Sequence, residues 1–215
     1  MLVILKKISL IPNGVNIEKF RPDKRKRVSF RKKLGIKQND VVLLFVGRNL
    51  KRKGLEYAIK ALHTVKRNNI KLVVCGGDDE YHRNLVDRLN ENERVMFMGD
   101  VKNAEEYYKM ADVFVFPTFY EGFSFATLEA ASSELPIIAT KANGTEDLVE
   151  NGKNGFLLKS RNPKELADKI KLLVNNAKLR KQMGKKARET VVKKFAWNII
   201  AKQILEVFEK IKVIK

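Results

Sequence analysis

Five short apolar runs, spaced through the middle of the chain, decide what it can fold into. Val41–Val46, Ile70–Cys75, Val113–Phe116 and Pro136–Thr140 are nearly unbroken, and Arg94–Met98 is a weaker fifth. A strand with one wet face alternates apolar and polar residues. An unbroken run suits a strand covered on both faces, as in a parallel sheet. Between the runs the periodicity becomes helical. Leu55, Ile59 and Leu62 share a helix face after Gly54, and Asn103 and Glu106 have capping-box spacing ahead of Tyr107, Tyr108 and Met110. Gly122–Ser133 carries Leu128 among alanines. Strand alternating with helix predicts an α/β fold, a single doubly wound Rossmann-like domain with a parallel sheet.

That domain is expected over residues 28–195. Residues 1–27 read as an entrance or linker, because Ile11-Pro12-Asn13-Gly14-Val15 is a strand end and turn followed by a basic stretch. Met1–Leu5 is apolar but stops at Lys6-Lys7, too short for a membrane span or a signal-peptide core, and reads as a strand or an added start. Phe156–Leu158, after Gly152 and Gly155, is a candidate edge strand. Asn162-Pro163-Lys164-Glu165 combines an N-cap, a proline at the first helical position and a capping-box glutamate. Helices follow, with a break near Phe195-Ala196-Trp197. Residues 196–215 form the last one, whose stripe Ile200, Ile204, Val207, Phe208 and Ile211 is expected to pack on its own domain.

Composition narrows the classes. A chain of 215 residues buries roughly 70% of its unfolded surface, so it needs no disulfide or metal to fold. Cys75 is the only cysteine, which excludes a disulfide framework within one chain and fits a reducing, cytoplasmic setting. The net charge of +19 draws the chain toward polyanions, an anionic membrane surface among them. Its basic runs, Lys24–Arg27, Arg31–Lys33 and Lys51–Lys53, lack the interleaved aromatics of single-strand binders. They read first as solvated surface, and no specific nucleic-acid partner is expected. Asp78-Asp79 lacks the spacing and histidine partners of a metal site, and His63 and His82 read as exposed. No Gly-x-Ser-x-Gly elbow and no Gly-x-Gly-x-x-Gly fingerprint is present, which weighs against a serine hydrolase and a dinucleotide dehydrogenase.

Two loops at strand ends carry the candidate chemistry. Open α/β sheets bind ligands at the C-terminal ends of their strands. Gly47-Arg48-Asn49-Leu50-Lys51-Arg52-Lys53-Gly54 follows the first core strand. Arg48 and Lys53 there could neutralise a diphosphate, and Gly47 would let the backbone approach closely. After Val113–Phe116 comes Glu121-Gly122-Phe123-Ser124-Phe125-Ala126-Thr127-Leu128-Glu129. Its two carboxylates bracket a glycine loop at a helix start. Carboxylates accept from sugar hydroxyls and free helix-start amides accept negative charge, so the stretch suits a ligand with both hydroxyls and phosphates. The plainer alternatives are a solvated basic loop, a loop acid and a helix-surface acid.

Taken together, several segments resemble the C-terminal, donor-binding half of a group 1 retaining glycosyltransferase with the GT-B fold. Ile11–Pro22 resembles that family's passage into its second domain, and Gly47-Arg48…Lys53-Gly54 its diphosphate loop. Glu121…Glu129 resembles its Glu-x7-Glu signature, and Phe195-Ala196-Trp197 with the final helix its closing segment. The resemblance implies that Arg48 and Lys53 hold the diphosphate of a nucleotide-sugar donor and stabilise charge as the glycosidic bond breaks. Glu121 would face the donor sugar, Glu129 would accept the ribose hydroxyls, and the backbone near Gly122, Phe123, Ser124 and Phe125 would meet sugar or phosphate. Backbone around Gly76 and Gly99 would meet the base. It further implies transfer of a hexose, with retention, to a glycan, lipid-linked or small acceptor, and no metal cofactor. The acceptor half of such an enzyme is not in these residues and is expected in cis or on a partner chain. The alternative is a non-catalytic nucleotide-sugar-binding module completed by a partner protein. Three loops depart from the family pattern: Glu134 replaces a glycine, Asn143–Asp147 has lost a glycine and a proline, and Gly76-Gly77-Asp78 stands for Gly-Asp-Gly.

Overall fold

The structure, a computed structural model, describes residues 8–142 and 144–213. Its first half runs α1 (Lys24–Lys33), β1 (Val41–Val46), α2 (Leu50–Lys53), α3 (Leu55–Thr64), β2 (Ile70–Cys75), α4 (Glu80–Arg88), β3 (Val95–Phe97) and α5 (Ala104–Met110). The second half runs β4 (Val113–Phe116), α6 (Phe125–Ser132), β5 (Ile137–Thr140), α7 (Thr145–Leu148), β6 (Gly155–Leu158), α8 (Pro163–Asn175), α9 (Ala177–Lys194) and α10 (Trp197–Val213). The strands form one six-stranded parallel sheet in the order β3-β2-β1-β4-β5-β6. This is the doubly wound fold that the unbroken runs predict, with Gly155–Leu158 at one edge. Pro136 accepts from the Phe114 N–H at 3.0 Å but has no N–H to give, so the β5 ladder starts at Ile137.

Both faces of the sheet are covered. Val41, Leu43 and Phe45 point to the layer holding Leu55, Ile59 and Leu62 of α3 and Leu166, Ile170 and Leu173 of α8. Val42 and Leu44 point the other way, to Tyr108 of α5 and Leu128, Ala130 and Ala131 of α6. Two-residue alternation within an all-apolar strand thus feeds two separate cores.

The N-terminal segment departs from the linker reading. Val15 and Phe20 are buried in the second core, and the Val15 N–H donates to Phe195 O at 2.9 Å. Helix α1, capped by the Asp23 side chain, runs across the expected boundary at 27. Nor is its basic run only solvated surface. Arg31 is fully buried, and Arg27 and Arg31 each reach a different oxygen of Asp112 at 2.7 Å. Asp112 also accepts from the Val42 N–H at 2.7 Å, so the pair is locked onto the start of β1. A guanidinium goes inside only when paired this way, and burial lowers the pKa of Arg31 against the lift from Asp112. Met1–Leu5 lies outside the described residues.

Other local expectations are partly met. Asn162 caps α8 through the Lys164 N–H at 2.9 Å, and Glu165 reaches back to Lys159 N–H rather than to the cap residue. Asn103 stands at the N-cap of α5 without a side-chain bond. The stripe of α10 packs mainly at its start: Ile200 is buried and Val207 half-buried, whereas Ile204 and Phe208 are exposed, and the Ile211 side chain lies outside the described residues. Among the described residues no helix is long and apolar enough to cross a membrane.

Candidate functional site

β1 and β4 are neighbours whose chains leave in opposite directions, β1 toward β2 and β4 toward β5. The C-terminal ends of two such strands are the usual ligand position in these sheets. The two candidate loops flank it. Asn49 caps α2 by accepting from the Arg52 N–H at 3.0 Å. Gly54 then takes φ +79, which ends α2 and starts α3. The same glycine presses on the second loop, because a Cβ built there would lie 2.0 Å from Pro117 O. Phe119 N–H donates to Arg52 O at 2.9 Å, and Thr140 Oγ1 donates to Thr118 O at 2.6 Å. The loops are thus fastened to each other and to the end of β5.

At this junction Lys53 meets Glu121 in a direct ion pair. The Lys53 stem crosses Gly47, where an added Cβ would stand 2.9 Å from Lys53 Cγ, and its Nζ lies 5.2 Å from the Phe116 ring centroid. Arg48 differs. Its side chain is 86% exposed and its Nε stands 3.5 Å from the exposed carboxylate of Asp100. One cation is preset and the other reaches into solvent over the β2–β3 side. The glycines bring the strand ends together there. Gly47 N–H donates to Cys75 O at 2.9 Å, Gly76 N–H donates to Gly99 O at 2.7 Å, and a Cβ on Gly76 would lie 3.1 Å from the Gly47 backbone.

The loop before α6 is held from outside. Asn13 Nδ2 donates to Phe123 O at 3.0 Å, and the Phe123 ring packs 5.4 Å from Phe195. Gly144 approaches Phe123 so closely that a Cβ would stand 2.4 Å from Cδ2, so the altered Asn143–Asp147 turn keeps the one glycine this contact needs. Asn143 lies outside the described residues. Ser124 is the N-cap of α6, its Oγ accepting from Thr127 N–H at 3.3 Å. The amides of Phe125 and Ala126, in the first turn, fall outside the helix ladder. Gly122 and Phe125 are exposed.

Glu129 lies one turn into α6 and, among the described residues, shares no hydrogen bond or ion pair with Lys53 or Glu121. The buried Tyr108 hydroxyl, which has no hydrogen-bond partner among the described residues, influences its titration, as do Lys19 and Glu105. Burial, the largest influence, raises its pKa above the ordinary glutamate value. Tyr108 and Lys19 pull it back and Glu105 adds to the rise. Lys19 stands 3.6 Å from Glu105. A carboxylate whose charge is disfavoured by burial suits a ligand that brings hydroxyl donors. Asp100, Tyr108 and Glu105 carry no motif, and Asn13 and Lys19 lie in the Ile11–Pro22 segment without a site role of their own there; the part of all five in the site emerges only from the fold.

The remaining polar candidates are structural. His63 Nδ1 lies 2.9 Å from Glu91. His82, expected on the surface, is fully buried, with Nδ1 2.7 Å from Asp79, which also caps α4. The cap draws the imidazole inward. Asp78 pairs with Arg83. Burial pushes the Cys75 thiol up to about 12, so it is a core residue and not a nucleophile. Among the described residues no group of three or more His, Cys, Asp or Glu could hold a metal ion.

Comparison with known proteins agrees with the fold. The profile of the family "Glycosyl transferases group 1" matches residues 26–190. The capsular polysaccharide biosynthesis glycosyltransferase CapM of Staphylococcus aureus is 34% identical over 199 residues, covering 89% of this chain and 51% of that protein. The UDP-Gal:alpha-D-GlcNAc-diphosphoundecaprenol alpha-1,3-galactosyltransferase of Escherichia coli is 34% identical over 196 residues, covering 88% of this chain and 50% of its own length. Among solved structures, Anabaena Alr3699/HepE in complex with UDP-glucose superposes with a TM-score of 0.87 at 25% identity, covering 94% of this chain and 57% of that one. The chain spans about half the length of the curated relatives it matches.

Proposed function

The chain belongs to the group 1 glycosyltransferase family, and from that premise we propose that it is the donor-binding half of a transferase acting on nucleoside-diphosphate sugars. The observation that carries this reading is the contact at the switch point. The diphosphate loop and the Glu-x7-Glu stretch are remote in sequence, yet Lys53 and Glu121 meet there. Arg48 and Lys53 grip the diphosphate and offset the charge that develops as it leaves. Charge-stabilising contacts of this kind are often the largest catalytic contribution, and losing one costs on the order of 10²–10³ in rate. Glu121 accepts from the sugar, Glu129 clasps the ribose, and backbone at Gly122, Phe123, Ser124 and Phe125 meets sugar or phosphate. Backbone at Gly47, Gly76 and Gly99 leaves room for diphosphate and base.

The transferred group is a hexose, moved with retention and without a metal. UDP-glucose, bound by the Anabaena protein, and UDP-galactose, named for the Escherichia coli one, are the first donors to try. A lipid-linked or glycan acceptor follows the same relatives. It is presented by a second domain in cis or in trans, at the cytoplasmic face of an anionic membrane that the +19 charge favours. Calorimetric titration with UDP, GDP and ADP sugars tests the donor site. One of the three series binds at millimolar affinity or better, and Arg48→Ala weakens it. Binding of none, with Arg48→Ala indistinguishable from the parent, contradicts the reading.

A further inference from the structure

Lys53 and Glu121 are assigned to different parts of one ligand, yet without it they hold each other. Their side chains are only 12% and 18% exposed, so water and salt do not dissolve the pair as they would a surface contact. Lys53 is fixed by Gly47 along its stem, by the Phe116 ring under its ammonium and by the Glu121 carboxylate.

We propose that Glu121, by occupying Lys53, makes the site select a nucleotide sugar over the bare nucleoside diphosphate. The proposal rests on the donor-site reading above. Its cause is a count of partners. A diphosphate that takes Lys53 leaves the Glu121 carboxylate in a largely buried place without its cation, and an uncompensated buried charge is costly. An ammonium has three donors and can bridge both anions, but the carboxylate and the diphosphate then repel each other at close range. In both cases a ligand offering only phosphates is penalised. A nucleotide sugar brings hydroxyls that donate to Glu121 while its phosphates take Lys53, so each half of the pair exchanges one partner for another. The same preference favours departure of the spent diphosphate once its sugar has gone.

The test is calorimetry of the 215-residue chain with inorganic pyrophosphate, with UDP, GDP and ADP, and with their glucose esters, on the parent, Glu121→Gln and Lys53→Ala. Glu121→Gln is expected to tighten pyrophosphate and the diphosphates about tenfold while leaving the glucose esters unchanged or weaker, so that the preference for the ester falls by at least that factor. If Lys53→Ala weakens every ligand but Glu121→Gln leaves the preference unaltered, or weakens all ligands equally, the selective role of the pair is overturned and the donor site stands. If neither variant changes any affinity, the donor-site reading falls and takes this inference with it. Should the glutamine variant not fold, Glu121→Asp, which draws the carboxylate back by one methylene, is subject to the same criteria.

Discussion

Glu129 shows how one side chain carries opposed demands. Burial raises its pKa, so the native state binds its proton more tightly than the unfolded chain does. The sign follows. The contribution of this group to stability is most favourable below the ordinary glutamate range and is lost as pH rises through the raised native value. Above the raised native value the charged carboxylate therefore costs the fold something, and Glu129→Gln should there unfold at a higher temperature. A gain of about 2–4 °C corresponds to ~1 kcal/mol in a chain of this size. The gain should shrink as pH is lowered into the carboxylate range, while nucleotide affinity falls at every pH. Scanning calorimetry at pH 8 and pH 4 measures it; a variant less stable than the parent at both contradicts the assignment. Arg48, Lys53, Glu121 and Glu129 could be singled out in the sequence because their spacing within short loops is local, whereas the roles proposed for them are those the family resemblance implies. Tyr108, Lys19 and Glu105 were not, because only the packing of α5 and the N-terminal segment on α6 brings them there. Glu134 makes the converse point. The family pattern marks it as an odd substitution, and it sits at φ +61, the left-handed region where glycine is easiest.

Among the elements, the join between α2 and α3 holds the β1 and β4 loops against each other. Four strands could be bounded from the sequence to within a residue, since covered strands are continuous apolar runs and their ends are set by turn residues. β3 kept only Val95–Phe97 of the expected Arg94–Met98, as an edge strand with fewer constraints. The N-terminal segment misled for a physical reason. Pro, Gly and a basic run look like a linker, but the burial of Val15 and Phe20 and the Arg27–Asp112 pair are long-range contacts with no local periodicity. At Gly54 the constraint is sharp: positive φ and a backbone oxygen 2.0 Å from any Cβ. Gly54→Ala must push the β1 and β4 loops apart. Urea denaturation should report a loss of about 2–4 kcal/mol, and nucleotide affinity should fall with it. An alanine variant of parental stability would show that the loops are not held by this contact.

At the scale of the whole molecule, the strand order places the β1–β4 switch point where the two candidate loops meet, and the family match, residues 26–190, includes both loops. Rossmann-like architecture was legible because alternating covered strands and amphipathic helices admit few other layer arrangements. The stripe of α10 was legible as a stripe, but not its exposure past Ile200, since periodicity shows that a face is apolar and not what covers it. The central claim is that one crevice holds diphosphate on the β1 side and ribose on the α6 side. Its most direct measurement compares the best-binding nucleoside diphosphate with its 2′,3′-dideoxy form by calorimetry on the parent, Lys53→Ala and Glu129→Ala. The parent should lose about tenfold on the dideoxy ligand, as expected for losing hydrogen bonds to a charged acceptor. Glu129→Ala should bind the two forms alike, and Lys53→Ala should weaken both by the same factor. If Glu129→Ala still prefers the ribose form, or Lys53→Ala binds like the parent, the two loops do not serve one ligand.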